Sequence, residues 1–278
     1  MAAASSRNSK TQLREQARAQ AQALREQQEL AERRRKITRR SLIGGAAVVV
    51  VGGIGGVVYL DKSTTGESVP AQADATGALT FGKGMKVGTT NSGAKLLDLY
   101  FDYSCSHCAQ FEALHLDEIK KLVEEGTVTF VLHPCKILGS GWTDVAINAL
   151  GVVLDESPEH AYDFHRAVFD VFLQAVQAKD QSRLKVQTLK AAAEALGVSA
   201  SVTKKFDKAV EKNQYKAWTS ASTKAFLDKG FTGTPVVSYN GTVLELGQVA
   251  SPTGLTEAIK AAEGGNASTA TPEATPDQ

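Results

Sequence analysis

Apolar residues alternate along Lys95 to Phe101 (KLLDLYF), placing Leu97, Leu99 and Phe101 on one side, a period of two that predicts a strand. From Ala109 to Glu125 the period lengthens. Phe111, Leu114, Ile119 and Leu122 fall on one side of a predicted helix that Gly126 ends. Thr127 to Leu132 (TVTFVL) is β-branched, is bounded by His133-Pro134, and is predicted as the next strand. Strand, helix, strand implies a right-handed parallel crossover. From Trp142 to about Gly230 strand signals vanish and helical spacing recurs, in AINALGVVL, AYDFHRAVFDVFLQAV and TLKAAAEALGV, which predicts an inserted helical subdomain over about 142–230. Gly233 to Leu246 then holds two strand runs around Asn240-Gly241, a strong hairpin signal, and Thr253 to Glu263 closes the pattern as a helix.

The pattern upstream is of another kind. Ser41 to Leu60 is an uncharged apolar run of 20 residues, enough at about 1.5 Å per residue to cross a hydrocarbon core of about 30 Å. Arg33-Arg34-Arg35-Lys36 and Arg39-Arg40 precede it, so the positive-inside rule keeps residues 1–40 cytoplasmic and puts everything after Leu60 outside. The run reads as a retained single-pass anchor over 41–60. The alternative is a signal segment, with a twin-arginine pattern at Arg39-Arg40 and cleavage near Ala73. Charge follows the same division: residues 1–40 carry 11 basic and 4 acidic side chains, whereas the rest of the chain carries 20 and 26. The basic part is a tail beside a predicted span, which argues against a nucleic-acid role. Residues 61–78 read as a linker and 264–278 as a flexible tail, leaving 79–263 as the folded domain.

Candidate chemistry sits between the first predicted strand and its helix, at Cys105-Ser106-His107-Cys108. Two residues between cysteines in a first helical turn bring the sulfurs within bridging reach, and the free backbone N–H groups there stabilise a thiolate on the first. Cys105 is therefore read as nucleophile and Cys108 as its resolving partner. A disulfide-permissive compartment beyond the predicted span suits that pair. Cys135 makes the cysteine count odd and reads as an inert buried thiol, with a third redox thiol as the other reading. A zinc site from Cys105, Cys108, His133 and Cys135 has poor spacing for compact zinc modules. His115, His160 and His165, with Phe164, Phe169 and Phe172, read as helix and core residues; Trp142 and Trp218 are candidates for lining a groove near the cysteines. No phosphate-binding loop, dinucleotide fingerprint or acyl-transfer constellation competes.

Around these residues the chain resembles the DsbA-like branch of the thioredoxin superfamily, in particular its membrane-anchored bacterial extracytoplasmic thiol-disulfide oxidoreductases. The resemblance covers about Leu79 to Glu263. It rests on F-D-Y-x-C-x-H-C-x-x-F-E around Cys105, on His133-Pro134, on the helical insertion, and on Gly233-Thr234-Pro235 before the Asn-Gly hairpin. It implies an α/β thioredoxin-like fold with an inserted helical subdomain, preceded by a single N-terminal transmembrane helix. It also implies a cis-proline at Pro235 beside the cysteines, with Thr234 presenting backbone to an extended substrate peptide. His107 would tune the redox poise by stabilising thiolate.

The expected activity is disulfide formation in exported cysteine-containing polypeptides through the redox-active disulfide Cys105-Cys108, with no other cofactor and no metal. A quinone-linked membrane partner would reoxidise the pair. A reductase or isomerase using the same site is the alternative, and a peptide-binding module without turnover is a further one. Two departures from the family pattern stand out. Ser106 replaces the proline common after the first cysteine, and Leu99 occupies the place of a buried acidic proton acceptor, with Asp98 one residue away and facing the other side of the strand.

Overall fold

The computed structural model describes residues 68–266. The basic tail, the apolar run and most of the linker, together with residues 267–278, lie outside the described residues. Among the described residues no helix is long and apolar enough to cross a membrane.

Strands β1 (Leu79–Gly82), β2 (Lys86–Val87), β3 (Lys95–Phe101), β4 (Val128–Pro134), β5 (Val236–Tyr239) and β6 (Thr242–Val243) form one sheet in the order β2-β1-β4-β3-β5-β6. Only β3 and β4 run parallel, joined through helix α1 (Ser106–Glu124). The predicted strand, helix, strand order is present. Its helix begins three residues earlier than the periodicity suggests, because Cys105 itself caps it. At the other end Gly126, at φ 76°, closes a Schellman motif: its N–H donates to the Val123 carbonyl and that of Thr127 to the Leu122 carbonyl.

Helices α2 (Gly141–Glu156), α3 (Ala161–Gln177), α4 (Val186–Ala195), α5 (Ala200–Thr203), α6 (Lys205–Glu211) and α7 (Lys216–Asp228) lie between β4 and β5, and α8 (Gly254–Asn266) follows the sheet. The Asn240-Gly241 turn has φ of 49° and 81°, both positive as a two-residue type I′ hairpin requires. The short strands β1 and β2 carry no periodic signal of their own.

Both sheet faces are covered. Leu97, Leu99, Phe101, Phe130 and Leu132 point to the main core with Ile119 and Val123 of α1 and Phe164 and Phe169 of α3. Tyr100 points to the opposite face, where Phe226 of α7 and Cys135 bury it. Residues 68–78, read from sequence as the end of a linker, are packed. The Ser68 N–H donates to the Gln214 carbonyl at 2.5 Å, Gln72 Nε2 to the Leu154 carbonyl at 2.9 Å, and Trp218 Nε1 to the Gly77 carbonyl at 2.8 Å. This strap holds the start of the domain against α2 and α7. Trp218 is consequently fully buried and lines no groove, and Trp142 is buried as well.

Candidate active site

The chain leaves β3 at Phe101, turns through Asp102-Tyr103-Ser104, and enters α1 with Cys105 at the N-cap (φ −93°, ψ 114°). An N-cap residue must satisfy backbone donors that have no partner within the helix. Here a sulfur does so: Cys105 Sγ accepts from the Cys108 N–H at 3.4 Å. Cys105, Cys108 and Cys135 are all thiols in this structure.

The two cysteines of the pair have opposite acidities. The Cys105 pKa falls from 9.0 to about 6; the neighbouring Cys108 thiol is the largest cause, burial opposes it, and the Thr234 side chain and the Cys108 and His107 amides lower it further. Cys108, wholly inaccessible, is pushed far up by burial and by its proximity to Cys105. A proton therefore leaves Cys105 first, and that sulfur is the better nucleophile at neutral pH.

Thr234 and Pro235 come to the same place from the far end of the chain. The Thr234-Pro235 bond is cis, and the Thr234 carbonyl accepts from Cys105 Sγ at 3.3 Å. Buried Thr234 Oγ1 has no hydrogen-bond partner with the thiols protonated, which leaves its proton free to face a thiolate. His107 is exposed on the second residue of α1, and its contribution to the low Cys105 pKa comes through its backbone amide. The structure thus brings Cys105, Cys108, His107, Thr234 and Pro235 together.

Leu99 lies in the apolar core and Asp98 on the other face, accepting from His133 Nε2 at 2.8 Å and Ser238 Oγ at 3.1 Å while the Tyr100 ring stacks on His133 at 3.9 Å. Cys135 sits beside that group; burial pushes its thiol up to about 12, and its Sγ donates to the His133 carbonyl at 3.3 Å. No three metal-ligating side chains converge among the described residues. His115 bridges Glu118 and the Val249 carbonyl, tying α1 to the loop before α8.

Two buried polar groups have no role in the sequence reading, although Asp102, Tyr103 and Glu112 belong to the motif around Cys105 and His165 is read there as a helix and core residue. Tyr103 Oη, His165 and Glu112 form a chain, with 2.7 Å from Oη to Nδ1 and 3.0 Å from Nε2 to Oε1, fully enclosed beside the pair. Separations of 62 and 53 residues give no local signal for it. Asp102 is the other, and Asp-x-Ser ahead of a helix N-cap does carry a turn signal.

Comparison with known proteins supplies the lineage. The thioredoxin family model matches residues 80–261. No match is found among curated proteins. Among solved structures, MdbA of Actinomyces oris, a thiol-disulfide oxidoreductase, is 42% identical with a TM-score of 0.65, over 72% of this chain and 93% of that one. MdbA of Corynebacterium diphtheriae is 22% identical (TM-score 0.55; 69% and 95% covered), and oxidised BdbD of Bacillus subtilis 19% (TM-score 0.56; 70% and 97% covered), similarities that bear on fold alone. A family match over most of the chain and close likeness to the first of these, joined to a cysteine pair capping α1 beside a cis-proline, place this chain in the thioredoxin family, among its DsbA-like thiol-disulfide oxidoreductases.

Proposed function

We propose that this protein forms disulfides in exported polypeptides, with Cys105 as nucleophile and Cys108 as resolving thiol. The observation that carries the reading is the arrangement of the pair: Cys105 Sγ caps α1 through the Cys108 N–H beside the Thr234 carbonyl, while Cys108 is sealed in the core, so that the two sulfurs differ in acidity. A stabilised Cys105 thiolate favours the reduced pair, so the disulfide form is a strong acceptor of electrons. A substrate thiolate attacks Cys105 Sγ, forming a mixed disulfide and expelling Cys108, which takes up a proton. A second substrate thiolate then attacks the substrate sulfur of that bond, and Cys105 leaves as the thiolate. Two electrons pass to the enzyme, one substrate disulfide forms, and the sulfurs need no further cofactor.

Thr234 and Pro235 are assigned to holding an extended substrate backbone beside Cys105, and His107 to the exposed rim over the pair. Turnover then requires an oxidant, for which we propose a quinone-linked membrane protein. The run at 41–60, read as a retained anchor with the catalytic domain outside, would keep the two together.

The deciding measurement is the reduction potential of the Cys105/Cys108 pair in the purified full chain against glutathione. A value above about −180 mV is expected, whereas one at or below about −270 mV assigns the site to reduction. Cys105→Ala is expected to abolish oxidation of a dithiol peptide. A wild-type protein that binds such peptides and never oxidises them would instead be a binding module.

A further inference from the structure

We propose that Asp102 is a positioning residue for Cys105: its carboxylate holds the turn that sets the nucleophilic sulfur at the cap of α1. The inference rests on the reading of Cys105 as nucleophile and adds the residue that keeps it in place.

Asp102 has no accessible surface, and donors surround it on every side. Oδ1 accepts from the Ser104 N–H at 3.0 Å, from Ser104 Oγ at 2.8 Å and from Thr143 Oγ1. Oδ2 accepts from the Ile137 N–H at 2.9 Å and the Leu138 N–H at 3.0 Å. Its backbone carbonyl accepts the Cys105 N–H at 2.9 Å. The side-chain bonds to Ser104 make an Asx turn, and the carbonyl bond closes the next turn on it. Between them they fix the backbone on both sides of Ser104 and deliver Cys105 with extended φ and ψ, which lets its sulfur face the Cys108 amide.

The two oxygens also have separate tasks. Oδ1 secures the turn and the first residues of α2 through Thr143, and Oδ2 secures the loop after β4. One carboxylate therefore joins the ends of β3 and β4 to the start of the helical segment, directly beneath the cysteines. An amide of the same shape accepts at one oxygen only, so it must abandon one of the two tasks and turn its NH₂ toward donors.

The sign of the effect separates positioning from charge. A negative group close to a thiol disfavours the thiolate, so if Asp102 acted by its charge, removing that charge would lower the Cys105 pKa. If it acts by holding the turn, its loss withdraws the Cys108 and His107 amides from the sulfur and the pKa rises.

The test titrates the Cys105 thiolate by its ultraviolet absorbance in the full-length wild type and Asp102→Asn, alongside the reduction potential and the urea midpoint. The expected result is a rise of about one pH unit in Asp102→Asn, with an about tenfold smaller equilibrium constant for oxidising a dithiol peptide. Gly151→Ala, destabilised through the remote ring of Tyr215, is expected to keep the wild-type titration. A folded Asp102→Asn that titrates as wild type, or lower, overturns the proposal. Should that variant not fold, Asp102→Glu keeps the charge and carries the two oxygens one methylene away from the Ser104, Ile137 and Leu138 N–H groups; an unchanged titration there overturns it equally. A wild-type chain that exchanges no disulfides would refute the functional reading and still leave the titrations to decide on Asp102.

Discussion

Cys105 and Cys108 stand three residues apart and differ in what surrounds their sulfurs, one accepting a helix amide and the other sealed in the core. Native alkylation should reflect this. Cys105 is expected to react while Cys108 and Cys135 do not, at a rate that is flat above about pH 6 and falls tenfold per pH unit below it, as peptide mapping after timed iodoacetamide quenching would show. Equal labelling of Cys108 would contradict the assignment. The same shift bears on stability in the reduced state. Because the folded pKa lies below the ordinary 9.0, the contribution of Cys105 is complete above about pH 9 and is lost as pH falls through about 6. The closeness of Cys105 and Cys108 was legible because it depends on local spacing, whereas the side-chain role expected of His107 came from family likeness. Thr234 and Pro235, more than a hundred residues away, were legible only through family likeness, and the Tyr103, His165 and Glu112 chain was not legible at all, since its members meet only after α1 and α3 pack.

Elements with strong periodicity were legible, and their ends were less so. The apolar period of α1 shows only from Ala109 onward, whereas the cysteine spacing already puts the pair in the first helical turn, where the structure has Cys105 as the cap. The helical run beyond β4 was evident from composition, but its internal fit was not. Gly151 in α2 faces Tyr215 so closely that an added Cβ would lie 2.4 Å from the ring. That ring is pinned, with Oη donating to Asp155 at 2.7 Å and the Tyr215 N–H to Asn148 Oδ1 at 3.0 Å. Gly151→Ala is therefore expected to cost about 1–3 kcal/mol despite the higher helix propensity of alanine, read as a lower urea midpoint. A variant as stable as wild type would mean that the ring swings aside at little cost.

At the scale of the molecule, composition suggested a flexible approach to the domain, yet residues 68–78 act as its brace. Ser, Gly and Pro content describes how a segment behaves alone and is silent on whether neighbours offer it donors. A chain beginning at Leu79 is expected to lose at least about 2 kcal/mol relative to one beginning at Ser68, because the buried indole N–H of Trp218 loses its acceptor; urea unfolding of the two would show it. Equal stability would make the strap incidental. The sheet order has a consequence in time. β5 lies inside the sheet, between β3 and β6, although the whole helical segment after β4 is synthesised before it. A growing polypeptide therefore exposes Cys105 long before Thr234 exists to meet it, and the centre of the sheet must wait for the last strands to arrive. The reactive pair is completed only after the helical segment between β4 and β5 has been made, so a shorter, growing chain carries the thiols without the carbonyl and hydroxyl that later flank them.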